Sequence, residues 1–483
     1  MSTDLHYLPA TEALARFRDR SLSPVELLDV VIARAEAVDP VVNALVHHRY
    51  DEAREQAVEA EARYGGHGPA PRALEGIPLA IKEEEAVAGQ PWTQGSLLYK
   101  DLLADHSSAF AQRMLDAGAI VHARTTAPEF SCAGFTQSRL HGITRNPWNP
   151  DYAVGGSSGG AGAALAAGTT TLASGSDIGG SIRLPASFNG VVGFKPPYGR
   201  VPVEAPFNLD TYCHCGPLAR TVADTALFEN VVAGPDPSDH TSLRPKLVLP
   251  EQFAPIAGMR IALSVDLGGW PVDPEVRANT LAAAAALREA GAIVDEVDLT
   301  VPREQVLRAA AIHFDLAFGA WIGGETAAHP LQTTGYAREF AARMAQRAKG
   351  GTFLEGLELE AAINRPVAAV LEEYDALLVP TVGTRGLLAD DDYVDHGLTV
   401  DGTELEFYFE ACFTPVFNIL SRCPVLNVPT GFADNGVPTG LQIVGRTYDD
   451  LTTFRVGAAL EAVRPWFDTA ARRPPLAPME AAR

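Results

Sequence analysis

The chain has 483 residues, with 60 Asp and Glu against 38 Lys and Arg and a formal net charge of −22 at pH 7. Nucleic acids and anionic membranes are bound through basic surfaces, so this charge argues against both as partners and favours a small-molecule role. An odd number of cysteines, five, suits a reducing compartment, and without a signal-like N-terminus or a membrane-length apolar run we expect a cytoplasmic protein.

Helical patterns dominate the first 70 residues. The segment 23–26, SPVE, is a capping box with proline in the first turn, and the apolar residues after it recur at helical spacing, which predicts a helix over about 24–38. A second, alanine-rich helix is predicted over about 51–64, because two glycines follow it. We expect these helices to form an N-terminal arm, about 1–70, packed outside a sheet.

Strand and helix patterns alternate from residue 76 onward, which predicts an α/β protein. The units over 259–299 have a strand, helix, strand order that predicts a parallel strand pair. Strands are predicted over 76–82, 119–121, 259–265, 292–299, 376–379, 425–428 and 440–444. Helices are predicted over 108–116, 161–168, 221–233, 274–290 and 449–463, with 304–372 mostly helical.

The stretch 155–196 contains the residues best suited to chemistry. It sets three serines, Ser157, Ser158 and Ser181, among glycines that let backbone N–H groups approach a substrate closely. The turn that ends at Ser181 can aim successive N–H groups at a developing oxyanion. Ser181 is therefore the candidate nucleophile, and Ser158 is a candidate for substrate binding.

A serine nucleophile needs a base, and no histidine lies near this stretch. The apolar run 76–81 ends at Lys82, where burial would favour the neutral, basic form of the amine. Three glutamates follow, and in a continued strand Glu84 would share a face with Lys82. We therefore expect the chain to turn after Glu83 and to carry these carboxylates away, as a solvated or capping cluster.

Three motifs in this order resemble the amidase signature family, many of whose members hydrolyse carboxamides through a Ser-cisSer-Lys triad. They are GIPLAIK at 76–82, GGSSGG at 155–160 and GSDIGGSIR at 175–183, and the resemblance extends to TGLQIVGR at 439–446. The resemblance implies Ser181 as the acyl-forming nucleophile, Ser157 as a proton-relaying serine after a cis peptide bond, Lys82 as the base, and Ile178, Gly179 and Gly180, with Ser181, as the oxyanion hole.

The resemblance also implies one α/β domain over 1–483, with a central mixed sheet covered by helices on both faces. We expect a catalytic core at about 76–200, a specificity region at about 259–372, and C-terminal strands and a helix at about 373–470 that complete the sheet. The expected partner is a small-molecule amide, with no cofactor or metal, and a homodimer is left open. Glu83, Thr126 and Pro197 depart from the usual family residues, so the substrate stays open.

Two other interpretations of these motifs compete. The segment 155–159 also fits the G-x-S-x-G nucleophile elbow, which would make Ser157 the nucleophile, but the preceding residues 149–154 form a poor strand pattern. The run 213–215, Cys-His-Cys, lacks the usual spacing of zinc ligands, so we expect free thiols near a pocket rim. Asp177 and Arg183 are predicted to pair and hold the turn.

Amide hydrolysis is the function that these residues predict best. The same acyl-enzyme could pass its acyl group to an amine or hydroxylamine, and the chain could also be the amidase subunit of a glutamine-dependent amidotransferase. A non-catalytic binding protein is the weakest alternative, since all three triad positions are filled.

Overall fold

Residues 4–476 are described by a computed structural model of the chain. The helices are α1 (Ala10–Asp19), α2 (Pro24–Val42), α3 (Tyr50–Tyr64), α4 (Ala109–Asp116), α5 (Gly159–Ala167), α6 (Arg183–Asn189), α7 (Val222–Val232), α8 (Pro274–Glu289), α9 (Arg303–Phe314), α10 (Ala320–Ala328), α11 (Gly335–Ala348), α12 (Phe353–Glu373), α13 (Pro415–Ile419) and α14 (Asp450–Val463).

The strands of the same residues are β1 (Leu45–Val46), β2 (Pro78–Lys82), β3 (Ile120–Thr125), β4 (Gln137–Ser138), β5 (Gly142–Ile143), β6 (Leu172–Asp177), β7 (Val192–Lys195), β8 (His214–Ala219), β9 (Arg260–Leu263), β10 (Ile293–Glu296), β11 (Ala376–Pro380), β12 (Leu398–Val400), β13 (Thr403–Leu405), β14 (Val425–Phe432) and β15 (Pro438–Gly445).

Eleven of these strands form one mixed sheet in the order β1-β3-β2-β6-β8-β7-β14-β15-β11-β9-β10. Strand β2 runs parallel to β3 and β6, and β9 runs parallel to β10 and β11, whereas the other neighbours are antiparallel. The predicted α/β fold with a mixed sheet between helices is confirmed. The parallel pair predicted from residues 259–299 is also present, as β9 and β10.

The two faces of β2 pack against different helices, because successive side chains of a strand point to opposite sides. Leu79 and Ile81 pack with apolar side chains of α1, α4 and α7, whereas Ala80 packs with those of α2 and α5. Lys82 lies two residues beyond Ala80 and so belongs to the α5 side. The fold therefore directs the lysine amine toward the start of α5.

The capping box predicted at the start of α2 is present. The Ser23 hydroxyl accepts from the N–H of Val25 at 3.0 Å, and the Glu26 carboxylate accepts from the N–H of Ser23 at 2.8 Å. The helix extends to Val42, beyond the predicted end near 38, with Pro40 inside its last turn. Helices α2 and α3 pack on each other and on the sheet near β2 and β3, as expected for the N-terminal arm.

Helices α9 and α10, joined by a π-helical turn at Asp315–Gly319, form a continuous helical stretch, Arg303–Ala328. Within residues 4–476 this is the one helix whose length and composition would allow it to cross a membrane, with a mean hydropathy of 1.2 over its most apolar window. Half of that window is buried against the rest of the chain, and α9 packs on α11 and α12. A core helix accounts for this pattern.

Candidate active site

Lys82 is buried at the end of β2, with only 1% of its surface exposed. Its Nζ donates to Oγ of Ser157 at 2.7 Å and to Oγ of Ser176 at 2.9 Å. The two serines come from different elements, the start of α5 and the strand β6. Because β2 and β6 are parallel neighbours, their carboxyl ends reach the same edge of the sheet, and this brings the lysine and both serines together.

Ser157 lies just before α5, and the peptide bond between Gly156 and Ser157 is cis, as the family resemblance implies. The glycine is required by space, since a Cβ at Gly156 would lie 2.3 Å from the carbonyl oxygen of Ala133. The backbone is thus held against a neighbouring loop, and the Ser157 hydroxyl points toward Lys82.

Ser181 lies in the loop between β6 and α6 and is 9% exposed. Its carbonyl oxygen accepts from the N–H of Ser158 at 3.1 Å, which ties together the two serine-containing motifs. Asp177 anchors the loop, accepting from the N–H groups of Gly180 at 2.8 Å and Ile182 at 3.1 Å. The fold therefore brings Ser181, Ser157 and Lys82 to one place, as predicted.

The predicted pairing of Asp177 with Arg183 is confirmed by an ion pair at 2.8 Å between two fully buried side chains. Burial alone would raise the pKa of Asp177, but the Arg183 charge and the hydrogen bonds from Arg183 and Asn418 outweigh it and hold this pKa well below its usual range. The pair fixes the loop that carries Ser181.

The proposed oxyanion hole differs from the prediction at one position. The N–H of Gly180 is used by Asp177, so it is not free for an oxyanion. Within residues 4–476, the N–H groups of Ile178, Gly179 and Ser181 have no protein acceptor. Gly180 has a packing role instead, since its φ is +127° and a Cβ there would lie 2.2 Å from Oγ1 of Thr414.

The prediction that Ser158 binds substrate is wrong. Ser158 is fully buried, and its hydroxyl donates to the carbonyl oxygen of Ser176 and accepts from the N–H of Ser176, both at 3.3 Å. Both of these bonds hold α5 against β6. Ser158 therefore supports the site from behind and does not line it.

The expectation that the glutamates lie away from Lys82 is also wrong. The chain does turn here, since the N–H of Glu85 donates to the carbonyl oxygen of Lys82 at 3.0 Å. The turn sends Glu83 into the interior, where its carboxylate accepts from Thr93 and from the N–H of Gly95. It brings Glu84 back over the lysine, with 2.9 Å between Oε2 of Glu84 and Nζ of Lys82.

Three residues of this network were missed from the sequence: Ser131, Ser176 and Glu84. The hydroxyls of Ser131 and Ser176 both donate to the Glu84 carboxylate. The spacing of Lys82 and Glu84 on one strand face was the signal available, but a tight turn and not a strand brings the two together. Ser131 is far away in sequence and left no such signal.

A wide cavity of about 570 Å³ opens beside Ser157 and Ser176. Its walls combine carboxylates, from Glu84, Glu85 and Glu204, with large aromatic side chains. The aromatic residues are Trp92, Tyr99, Phe130, Phe207, Phe318 and Trp321. Among the described residues, neither an arginine nor a lysine lines this cavity. It offers a mainly apolar space with a negative edge next to the relay serine.

A second, narrow pocket of about 40 Å³ lies on the other side of the site and is lined by Ser181 and Gly179. Its walls are aromatic, from Phe314, Phe318, Phe340, Phe407, Tyr408 and Phe409. Ser131, Ile178 and Phe318 line both spaces, so the two meet at the serine pair. The site can therefore accept a substrate with two unequal parts.

The Cys213-His214-Cys215 run does not form a ligand cluster, because strand alternation puts the histidine on the opposite face from the cysteines. His214 is hydrogen-bonded within the core, with 2.7 Å between its Nδ1 and the carbonyl oxygen of Tyr212, whereas both cysteines line the wide cavity. All five cysteines are free thiols. The predicted thiols at the pocket rim are thus present.

One other group of side chains, within the part of the chain that the structure describes, meets the geometric minimum for a metal ion. Ligand atoms of His47, Glu83 and His141 lie within 4.8 Å of one another. The Glu83 carboxylate already accepts from Thr93 and Gly95, so protein donors hold it in place. We assign this trio a structural role behind the Lys82 turn.

A mixed α/β sheet that brings a loop serine, a relay serine and a buried lysine to one edge defines a serine hydrolase in which lysine replaces the usual histidine. Residues 26–454 match the amidase family, and the chain belongs to that family. The A chain of the glutamyl-tRNA(Gln) amidotransferase of Chloroflexus aggregans is 33% identical over 505 residues, covering 98% of this chain and 99% of that protein.

An acylamidase of Rhodococcus erythropolis is also 33% identical, over 478 residues that cover 96% of this chain and 97% of that protein. The crystal structure of a bacterial aryl acylamidase of the amidase signature family has a TM-score of 0.86 at 31% identity, covering 96% of this chain and 98% of that one. Family and relatives confirm the predicted class, a hydrolase of carbon–nitrogen bonds in non-peptide amides.

Proposed function

We propose that the chain hydrolyses small-molecule amides through an acyl-enzyme on Ser181, with Ser157 as relay and Lys82 as base. The observation that carries this proposal is the 2.7 Å contact between Nζ of the buried lysine and Oγ of Ser157. A hydroxyl bonded to a desolvated amine can pass a proton to it, and the adjacent Ser158 N–H ties this segment to the Ser181 loop.

Each proton in this reaction has a defined donor and acceptor. Ser157 takes the proton of Ser181 and gives its own to Lys82 while Oγ of Ser181 bonds to the amide carbon. The N–H groups of Ile178, Gly179 and Ser181 stabilise the oxyanion. The relay then runs backward to protonate the leaving nitrogen, the C–N bond breaks, and water releases the acyl group as a carboxylate.

The two cavities assign the two halves of the substrate. The leaving nitrogen must receive its proton from Ser157, which lines the wide cavity, so the amine part belongs there. The acyl part then lies in the narrow pocket beside Ser181 and Gly179. We propose a substrate with a small acyl group, of acetyl to propanoyl size, and a bulky, largely aromatic amine, and the names of the two acylamidase relatives agree with this.

The amide preference is tested with the purified chain alone on anilides whose acyl group grows from acetyl to hexanoyl and benzoyl. We expect the acetyl and propanoyl anilides to be hydrolysed fastest. Hydrolysis of glutamine that depends on a second subunit would instead support the amidotransferase role, and light scattering of the same sample gives the oligomeric state. The acidic composition and free cysteines support a cytoplasmic location.

Enlarging the narrow pocket is expected to change acyl preference. Phe409 lies in its wall close to the oxyanion loop, since a Cβ at Gly179 would be 3.2 Å from Cζ of this ring. In Phe409→Ala we expect the ratio of kcat/KM for hexanoyl over acetyl anilide to rise about tenfold or more, because each added methylene gains a buried contact. Steady-state kinetics on the anilide series measures this ratio.

The matched control is Phe207→Ala, which removes a ring that lines only the wide cavity and is 41% exposed. This variant should keep the acyl ratio of the parent and alter the preference for the amine. The opposite pattern, with Phe207 and not Phe409 controlling acyl length, would reverse the assignment of the two cavities.

Chelation is expected to leave activity intact, since the relay uses only serine and lysine groups. We expect prolonged dialysis against EDTA to reduce kcat by less than about twofold, given that the reaction needs no Lewis acid. The measurement is the kcat of treated enzyme, with His141→Ala as a companion variant. If EDTA abolished turnover and zinc restored it, the structural role assigned to His47, Glu83 and His141 would be wrong.

A further inference from the structure

Glu84 stands in direct contact with the base of the proposed reaction. Its Oε2 lies 2.9 Å from Nζ of Lys82, and its two oxygens also receive the hydroxyls of Ser131 and Ser176. The carboxylate is 18% exposed, at the wall of the wide cavity, while the lysine is almost completely buried. This is a hydrogen-bonded ion pair in a poorly solvated place.

The surroundings favour the charged form of Glu84. Burial alone would raise the pKa of this carboxyl, but the Lys82 charge and the hydrogen bonds from Ser131 and Ser176 outweigh burial and lower it. A carboxyl of this kind is a poor proton acceptor near neutral pH. It is a strong stabiliser of the ammonium form of the amine beside it.

Among residues 4–476, no other group near the pair provides a comparable negative charge. Glu85, on the same turn, has its pKa raised to about 7 by burial. Cys213 and Cys215, which face the pair from β8 and the residue before it, have pKa values raised well above the ordinary value by burial and are neutral thiols. Glu204, also in the cavity wall, is bonded to His106.

The remaining charged groups on the neighbouring elements are already committed. Asp177, at the end of β6, is paired with Arg183. Arg124, from β3, directs its guanidinium at the backbone of the turn, donating to the carbonyl oxygen of Lys82 at 2.9 Å and to that of Glu85. Glu84 is therefore the anion that decides the charge of the amine.

We propose that Glu84 is a positioning residue that sets the pH range of catalysis by holding Lys82 as an ammonium in the resting enzyme. The inference rests on the proposed role of Lys82 as base. An ammonium cannot accept the proton that Ser157 relays, so turnover requires that the lysine–glutamate pair first loses a proton. Activity therefore rises with pH, and the rise lies at more alkaline pH than it would without this carboxylate.

The test is the pH profile of kcat/KM in Glu84→Gln, which keeps the shape and hydrogen-bonding capacity of the side chain but removes its charge. Loss of an opposite charge in contact with an amine favours its neutral form, so the acidic limb of the profile should move down by about 1 to 3 pH units. At pH values below the limb, kcat/KM should then rise about tenfold for every pH unit that the limb moves. Glu84→Ala provides the same readout if the amide disturbs the turn.

Two variants separate charge from structure. Glu84→Asp keeps the charge, and its acidic limb should stay near that of the parent. Glu85→Gln is matched in position, since it lies on the same turn and lines the same cavity without contacting Lys82, and it should move the limb by less than about half a pH unit. A purely structural role for Glu84 would lower kcat in all its variants without moving the limb.

The inference is overturned if the limb of a folded Glu84→Gln enzyme does not move, or if activity is lost at every pH, which would make Glu84 itself the terminal proton acceptor. Lys82→Arg keeps this result distinct from the proposed function. A fully active Lys82→Arg enzyme would remove Lys82 as base altogether. An inactive Lys82→Arg enzyme together with an unmoved limb in Glu84→Gln would remove only the role of Glu84.

Discussion

Replacement of Ser181 by alanine is expected to reduce kcat by about 10⁴-fold to 10⁶-fold, the range in which loss of a serine nucleophile falls. The fold should persist, because the contacts that hold this loop use the Ser181 carbonyl oxygen and the Asp177 carboxylate, not the Ser181 hydroxyl. Steady-state kinetics on an acetyl anilide measures the loss, and an unchanged melting temperature shows that the loop is intact.

The same variant decides between the two possible nucleophiles. A fluorophosphonate should label Ser181 in the parent enzyme, fail to label Ser181→Ala, and label Ser157→Ala slowly, because only the relay is missing there. Peptide mass spectrometry locates the adduct. A label on Ser157 would restore the nucleophile elbow, whereas the geometry favours Ser157 as relay, since its hydroxyl is already bonded to Nζ of Lys82.

The central motifs of the site could be predicted because each is local in sequence. The run 76–82 ends in a lysine whose preceding neighbours are all apolar, and the glycines around Ser157 and Ser181 mark close backbone approaches. The ion pair of Asp177 and Arg183 could also be predicted, because the two residues flank a single turn. What these motifs lack is any statement of what lies across the cavity.

The role of Glu84 could not be predicted, because it depends on the exact path of a turn. Strand alternation alone would place Glu84 and Lys82 on one face, and a turn after Glu83 would be expected to separate them. In the structure the turn is closed by the Glu85 N–H and held by Arg124, and this directs Glu84 back to the lysine. Long-range donors such as Ser131 complete a contact that no local pattern indicates.

The fold shows the same division. Strands β14 and β15 and helix α8 have strong periodicity and overlap their predicted ranges. The strands β6, β7 and β8 lie in the middle of the sheet, yet the sequence pattern predicts no strand at these positions. The sequence of β6 is LASGSD and that of β8 is HCGPLA, so glycine, serine and proline replace the β-branched residues that usually mark a strand. Their pairing with neighbours, not their own propensity, makes them strands.

Replacement of Lys82 by arginine is expected to reduce kcat by about 10³-fold or more across neutral pH, since general-base catalysis contributes about 10² to 10⁴ and guanidinium does not deprotonate there. The substitution is informative because arginine keeps a positive charge for Glu84, so the ion pair at 2.9 Å in the parent has a successor. The measurement is kcat from about pH 6 to about pH 10, where the parent rises with pH and the variant should stay flat.

Lys82→Met is the matched comparison, since it has a similar length but no charge. Both variants should be inactive, but Lys82→Met should melt at a lower temperature, because it leaves the Glu84 carboxylate near-buried without its cation. If Lys82 served only as the partner of Glu84, arginine would restore turnover and methionine would not. Substantial kcat in Lys82→Arg at neutral pH would therefore assign the base to another group, whereas loss in both variants identifies the amine itself as the proton acceptor.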